Sequence, residues 1–396
     1  MQTGLPMNAV EPPLAPLLSS WLRRNHAAML DELATLVTLE SPTCAPAACE
    51  PVFDHIRSAL ADLGYRSVRL PGTTTAGALL SVPPETSLSE PLQLVVGHVD
   101  TVWPLGTLAR MPYRVVDGVA TGPGVYDMKA GIVQLLWALR GIAELGLAPA
   151  VQPVVFLNAD EEIASPDSGD WLDRLATLAD RALVLEPSHG QHGALKTARK
   201  GVAHYTVRAH GRCAHAGLEP ERGVHAILEM SHVVQALCGM ADAEAGLTVN
   251  PGVIRGGTRR NVVPHGCEVD VDVRAPTSAG VADADRRIRA LTPTVPGARL
   301  EITGRLTKAP MESTPASQRL WRRAAAHGHD LGLALEQRAV GGASDGNTTS
   351  QRCPTLDGLG AVGDGAHAPS EHVQVDTMPD RAALLALLLL DPPLAG

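Results

Sequence analysis

Continuous apolar runs, rather than strict alternation, mark the first half of the chain. Residues 92–97 are apolar apart from Gln93, and residues 151–157 and 182–185 repeat the pattern. Strands buried on both faces read this way, because neither face meets water. Helical spacing of apolar positions marks residues 129–145, between the first two runs, and also residues 14–40 and 51–63. Strands alternating with helices predict an α/β sheet covered on both sides. The middle third changes period. Residues 202–209, 252–254 and 268–274 predict alternating strands, and VHAILEMSHVVQALCGM predicts an amphipathic helix between the first two. The order strand, helix, strands, helix, strand suits a small open-faced domain inserted into a larger one. From Leu320 the alternation of helix and strand resumes, and the Pro-rich opening residues predict a loose tail.

Composition supports this division. A chain of 396 residues exceeds one ordinary core, so two unequal domains are expected. Aromatic residues are only 3% of the chain, which leaves little for stacking on nucleobases or for a membrane belt. The net charge is −9 and the Lys and Arg residues are scattered, so no basic stripe offers itself to nucleic acid. A small-molecule substrate fits better than either partner. Cys44, Cys49, Cys213, Cys238, Cys267 and Cys353 form neither a zinc ribbon nor a small disulfide scaffold, and reduced thiols are expected. The N-terminus lacks a basic segment followed by an apolar run, and LLALLLLD near the C-terminus is too short to cross a bilayer. A cytoplasmic location is the expectation.

Candidate chemistry gathers where apolar runs stop. GHVDTVW ends a strand in His98 and Asp100. The imidazole can bind a metal, with a carboxylate two residues on, on the same face, to orient it; a hydrogen-bonded structural His is the alternative. GPGVYDMKAG delivers Asp127 just before a helix, where an N-cap is the alternative. LNADEEIASP places Asp160, Glu161 and Glu162 after an apolar strand. Three adjacent carboxylates at a strand end need a cation or a solvent exit. Glu161 and Glu162 point in different directions, so one can bind metal while the other reaches a metal-bound water. LVLEPS ends another strand in Glu186, and GDGAHAPSEHV carries His367 in a Gly-rich loop. Each place alone has a bland explanation. Together they supply two His and several carboxylates, a ligand set suited to zinc.

These segments, with RKGVAHYTVRAHGRCAHAG, RRNVVP, VDVDVRAP and GGASDGN, resemble the M20 metallopeptidases in the same order, from about Leu33 to Leu390. That family includes glutamate carboxypeptidase, acetylornithine deacetylase and succinyl-diaminopimelate desuccinylase. HVDTVWPLGT, GPGVYDMKAG and DEEIASP look most like its glutamate carboxypeptidase branch. The resemblance implies a zinc-exopeptidase catalytic domain with a mixed sheet flanked by helices. Into it is inserted an α+β, ferredoxin-like lid through which the family forms homodimers. The domains would be residues 1–198 and 310–396 for the catalytic part and 199–309 for the lid.

By position, the resemblance implies two Zn²⁺ ions per chain, with Co²⁺ or Mn²⁺ as substitutes, bridged by Asp127. His98 and Glu186 would complete one metal site, and Glu162 and His367 the other. Glu161 would be the general base, with Asp100 behind His98. His215 looks like the family histidine that reaches the partner's active site, and Asn261 and Arg274 look like substrate-binding positions. The resemblance also implies a cis bond between Asp127 and Met128. Gly169 and Lys308 stand where relatives often carry Arg, so the substrate is expected to depart from glutamate conjugates.

The implied activity is hydrolysis of an amide or peptide bond next to a free carboxylate. A biosynthetic N-acyl amino acid deacylase is the alternative within enzymes, because the same site serves both. A catalytically silent binding or regulatory homologue is a third reading, opposed by the intact ligand set and Glu161. No GxSxG elbow supports a serine hydrolase.

Overall fold

The apolar runs form the centre of a six-stranded mixed sheet. The computed structural model describes residues 13–84, 86 and 90–394, so the Pro-rich opening lies outside the described residues. The strands are β1 (Arg66–Leu70), β2 (Ala78–Val82), β3 (Leu92–His98), β4 (Gln152–Asn158), β5 (Ala179–Val184) and β6 (Thr355–Leu356), in sheet order β1-β2-β4-β3-β5-β6. β3 runs parallel to both β4 and β5, and β6 is parallel to β5, while β1 and β2 are antiparallel. Every residue of β3 is buried. The parallel strands therefore end together, with His98 opposite Asn158.

Helices cover this sheet. Ala130–Glu144 is apolar nearly all round and buried along almost its whole length, and Met378–Leu390, which contains LLALLLL, is buried likewise. A helix without a polar face is stable only as an internal element. That is the fate of the C-terminal apolar run: among the described residues no helix is long and apolar enough to cross a membrane. The stretch 14–40 is two helices, Leu14–Arg24 and His26–Thr38, rather than one. Asn25 breaks it, with φ −98° and ψ 8°, and its side-chain amide donates to the Trp21 carbonyl. Gly131 sits at the start of Ala130–Glu144, where a Cβ would lie 2.4 Å from the Leu185 carbonyl oxygen. That close approach seats the helix against the chain leaving β5.

The described chain divides into two compact units. The first contains the six-stranded sheet and comprises residues up to Thr197, Thr314–Arg338 and Arg352 onward. The second comprises Ala198–Ser313 together with Ala339–Gln351, a segment the sequence reading assigned to the larger domain. In the second unit Gly201–His210 is central. It pairs antiparallel with Gly266–Ala275 and Arg299–Lys308, and Thr248–Gly256 pairs with Gly266–Ala275. Helices Ala226–Cys238 and Ser278–Arg289 complete a βαββαβ order, an α+β unit of ferredoxin-like topology. Along Gly266–Ala275, Cys267, Val269, Val271, Val273 and Ala275 are buried, and the residues between them face outward. Period two along a one-sided sheet explains that pattern. All six cysteines are free thiols.

Candidate metal centre

Three strand ends and one loop of the first unit converge on Asp127. His98 terminates β3, Glu161 and Glu162 follow β4, and Glu186 follows β5. Asp127 lies in an irregular helical turn, Val125–Lys129, whose Asp127–Met128 bond is cis, as the family resemblance implies. His367 comes from the loop before the C-terminal helix and holds a left-handed backbone, φ 62°. A non-glycine residue costs free energy there, and the surrounding fold must enforce it.

The two carboxylate oxygens of Asp127 are divided between the two histidines. Oδ1 is 3.1 Å from His98 Nε2, and Oδ2 is 3.4 Å from His367 Nε2. His98 Nε2 also lies 3.7 Å from Glu186 Oε1, and His367 Nε2 lies 3.0 Å from Glu162 Oε2. Ligand atoms of His98, Glu161 and Glu186 fall within 4.8 Å of one another, as do those of His98, Asp127 and Glu162. The arrangement brings together all five sequence-predicted ligand positions and Glu161.

Crowded carboxylates hold cations. Although burial opposes it, hydrogen bonds to Asp100 and Asp127 raise the pKa of His98 well above its ordinary value. Hydrogen bonds to Asp127 and Glu162 push that of His367 up to about 10. Asp127 is driven well below the usual carboxylate range by both histidines, against its own burial. Glu162 is pushed up, chiefly by burial. Its Oε1 is fully buried with no hydrogen-bond partner. A buried carboxylate oxygen without a donor is costly unless a cation meets it, and the nitrogen and oxygen donors here suit a divalent ion.

A supporting layer fixes these side chains. His98 Nδ1 donates to the Asp100 carbonyl at 2.9 Å, which leaves Nε2 facing Asp127. The Asp100 carboxylate is 3.4 Å from the same Nδ1, accepts Thr43 Oγ1 at 2.7 Å, and accepts the backbone N–H groups of Glu161 and Glu162 at 3.3 Å each. One buried carboxylate thus orients three chain segments. Asp160 turns away, accepting the N–H groups of Asp167 and Ser168. This separates one of the three adjacent acids from the other two.

Glu371 was not singled out in the sequence. It is fully buried and accepts the N–H groups of Gly124, Tyr126 and Asp127 and the indole N–H of Trp103, all at 2.7–3.1 Å. Burial pushes its pKa up while those donors pull it down. It ties the loop of His367 to the turn of Asp127. The available signal was an acid in the quoted segment GDGAHAPSEHV, but a loop carboxylate has no period that betrays burial.

The remaining predicted residues belong to the second unit. His215 is exposed, and its Nδ1 accepts the Gly217 N–H at 3.2 Å, which leaves Nε2–H as a free donor. Asn261 is exposed and its carbonyl accepts the Ala216 N–H. Arg274 Nε donates to Asp272 Oδ1 at 3.0 Å and Nη1 to the Gly341 carbonyl at 3.1 Å. Lys308 is buried in an ion pair with Asp345 at 2.9 Å.

Strand-end carboxylates and imidazoles at the carboxyl edge of an α/β sheet define a metal-dependent hydrolase of amide bonds. The chain belongs to Peptidase family M20/M25/M40, whose model matches residues 94–391. It is 27% identical over 372 residues to carboxypeptidase G2 of Pseudomonas sp. strain RS-16, covering 92% of this chain and 89% of the relative. It is 28% identical over 302 residues to acetylornithine deacetylase of Erwinia tasmaniensis, covering 71% and 75%. The fold matches aminopeptidase PepT of Bacillus cereus at TM-score 0.77 and 22% identity, covering 92% of this chain and 98% of that one. It also matches a dinuclear metal-binding M20 peptidase of Bacillus subtilis at TM-score 0.68 and 13% identity, covering 93% and 99%.

Removing Glu371 leaves four donors without their acceptor. Glu371→Ala should destabilise the protein by about 3 kcal/mol in urea unfolding and weaken divalent-ion affinity at least roughly tenfold in calorimetry. An unchanged midpoint with unchanged affinity would show that the Asp127 turn holds itself.

Proposed function

We propose that the chain is a di-zinc hydrolase that cleaves an amide or peptide bond adjacent to a free carboxylate, in the manner of a carboxypeptidase. The observation that carries this reading is the division of the Asp127 carboxylate between two clusters of donors. In it, Asp127, His98 and Glu186 would hold one ion, and Asp127, Glu162 and His367 the other. Cobalt or manganese can substitute for zinc in such a donor set. Bound cations supply Lewis acidity at the scissile carbonyl and lower the pKa of water.

The chain's own groups do the rest. Glu161 takes the proton of the attacking water and passes it to the leaving amine, a base that becomes an acid within one cycle. Asp100 is a positioning residue, setting His98 and, through two N–H groups, both glutamates. The second unit is read as the lid and the homodimer surface. The free Nε2–H of His215 suits a donor to the oxyanion in a partner subunit. Arg274, helped by Asn261, grips the substrate carboxylate, exchanging Asp272 for it. A deacylase acting on N-acyl amino acids would use the same parts, and the 28% identity to acetylornithine deacetylase favours keeping it as the second reading. A cytoplasmic location completes the reading, in keeping with six cysteines that form no disulfide.

Metal analysis after zinc loading should return two ions per chain, and Glu161→Gln should keep them while losing most turnover on N-acyl amino acids and dipeptides. One ion, or full activity in that variant, would overturn the assignment. Arg274→Ala should lower kcat/KM for free acids by roughly 10- to 100-fold and leave the matching amides nearly unaffected. Equal losses would make Arg274 structural. Mixing inactive His215→Ala and Glu161→Gln chains should restore part of the activity if His215 serves a partner's site, and no restoration would remove that role.

A further inference from the structure

The segment after His98 separates two cavities of the first unit. Thr101 and Val102 line one, which also holds Glu162. Trp103 and Pro104 line the other, a groove of about 510 Å³ whose walls also include Met111 and Pro369. The groove belongs to the neighbourhood of the metal centre. Pro369 follows His367 on the same loop, and Trp103 donates to Glu371, whose other oxygen accepts the Asp127 N–H. Its volume is that of a small-molecule subsite, and its walls are largely apolar.

Two guanidinium groups line this groove, Arg110 and Arg114. Both are exposed, and among the described residues neither has a carboxylate or carbonyl partner. Elsewhere on the same unit Arg23, Arg57, Arg69, Arg140 and Arg352 engage acids while Arg24, Arg319 and Arg322 do not, so it is their shared groove that sets Arg110 and Arg114 apart. The groove's lining holds these two guanidiniums and no acid. An anionic group remote from the scissile bond would find guanidinium donors here that no acid occupies.

We propose that this groove is an acyl-side subsite, in which Arg110 and Arg114 hold an anionic group, carboxylate or phosphate, carried on an apolar body lying against Trp103. The proposal rests on the hydrolase reading above. It makes the chain selective for amides whose acyl part ends in an anion, a property separate from the carboxylate on the leaving amino acid.

The test uses one series of N-acyl amino acids whose acyl chains end in a carboxylate, a phosphate or a neutral amide. The wild-type chain should favour one or both anionic members. Arg110→Ala/Arg114→Ala should lower kcat/KM for them by roughly 10- to 100-fold, mainly through KM, and leave the neutral member within about twofold, as expected for lost ground-state binding. Loss shared equally with the neutral member, or a wild-type chain indifferent to the terminal group, overturns the subsite. Preference for the carboxylate or for the phosphate member identifies which anion the groove takes. A metal-loaded chain that cleaves no member overturns the hydrolase reading instead. Calorimetric binding of the free acyl acids to wild type and double variant then decides the groove, and equal affinities refute it.

Discussion

Negative charge concentrated at one sheet edge is the constraint on which the site depends. Glu161 and Glu186 gather around His98, as do Asp127 and Glu162, and His367 lies beside the latter pair. Such a cluster is unstable without cations, so the fold must bring it together by force of packing. The parallel strands β3, β4 and β5 do this, because they end at the same level and each is followed by an acidic or imidazole side chain. Their apolar bodies are buried throughout, and the hydrophobic gain along them offsets the repulsion at their tips.

The supporting acids have a different task. Asp100 and Glu371 are fully buried, yet each is surrounded by N–H and O–H donors rather than by cations. They act as fixed acceptors that hold backbone and neighbouring side chains in place. A carboxylate that accepts several N–H groups has its lone pairs satisfied without a metal. Acids at this sheet edge therefore fall into two kinds, and the difference lies in the donors offered by neighbouring backbone.

Much of this was legible in the sequence. The runs ending in His98, Glu161 and Glu186 announce buried parallel strands, because length and apolarity specify them locally, and the residues at their ends announce chemistry. Period two along residues 268–274 correctly separates the buried valines from Glu268, Asp270 and Asp272. The role of Glu371 was not legible, since its four donors come from Trp103 and the turn around Asp127, far away in sequence. The break at Asn25 was hidden because apolar spacing continues across it in both helices. The grouping of Ala339–Gln351 with the second unit was equally hidden, being settled by contacts such as Lys308 with Asp345 and Arg274 with Gly341.

The first unit is interrupted in the chain by the second, and the last strand of its six-stranded sheet, β6, and His367 come only after that interruption. During synthesis the strands bearing His98, Glu162 and Glu186 emerge long before the imidazole that completes the set. In a nascent chain the acids of this edge therefore precede His367 by as long as the second unit takes to emerge. The order of the sequence thus leaves the acid cluster without its second imidazole until the second unit has been made.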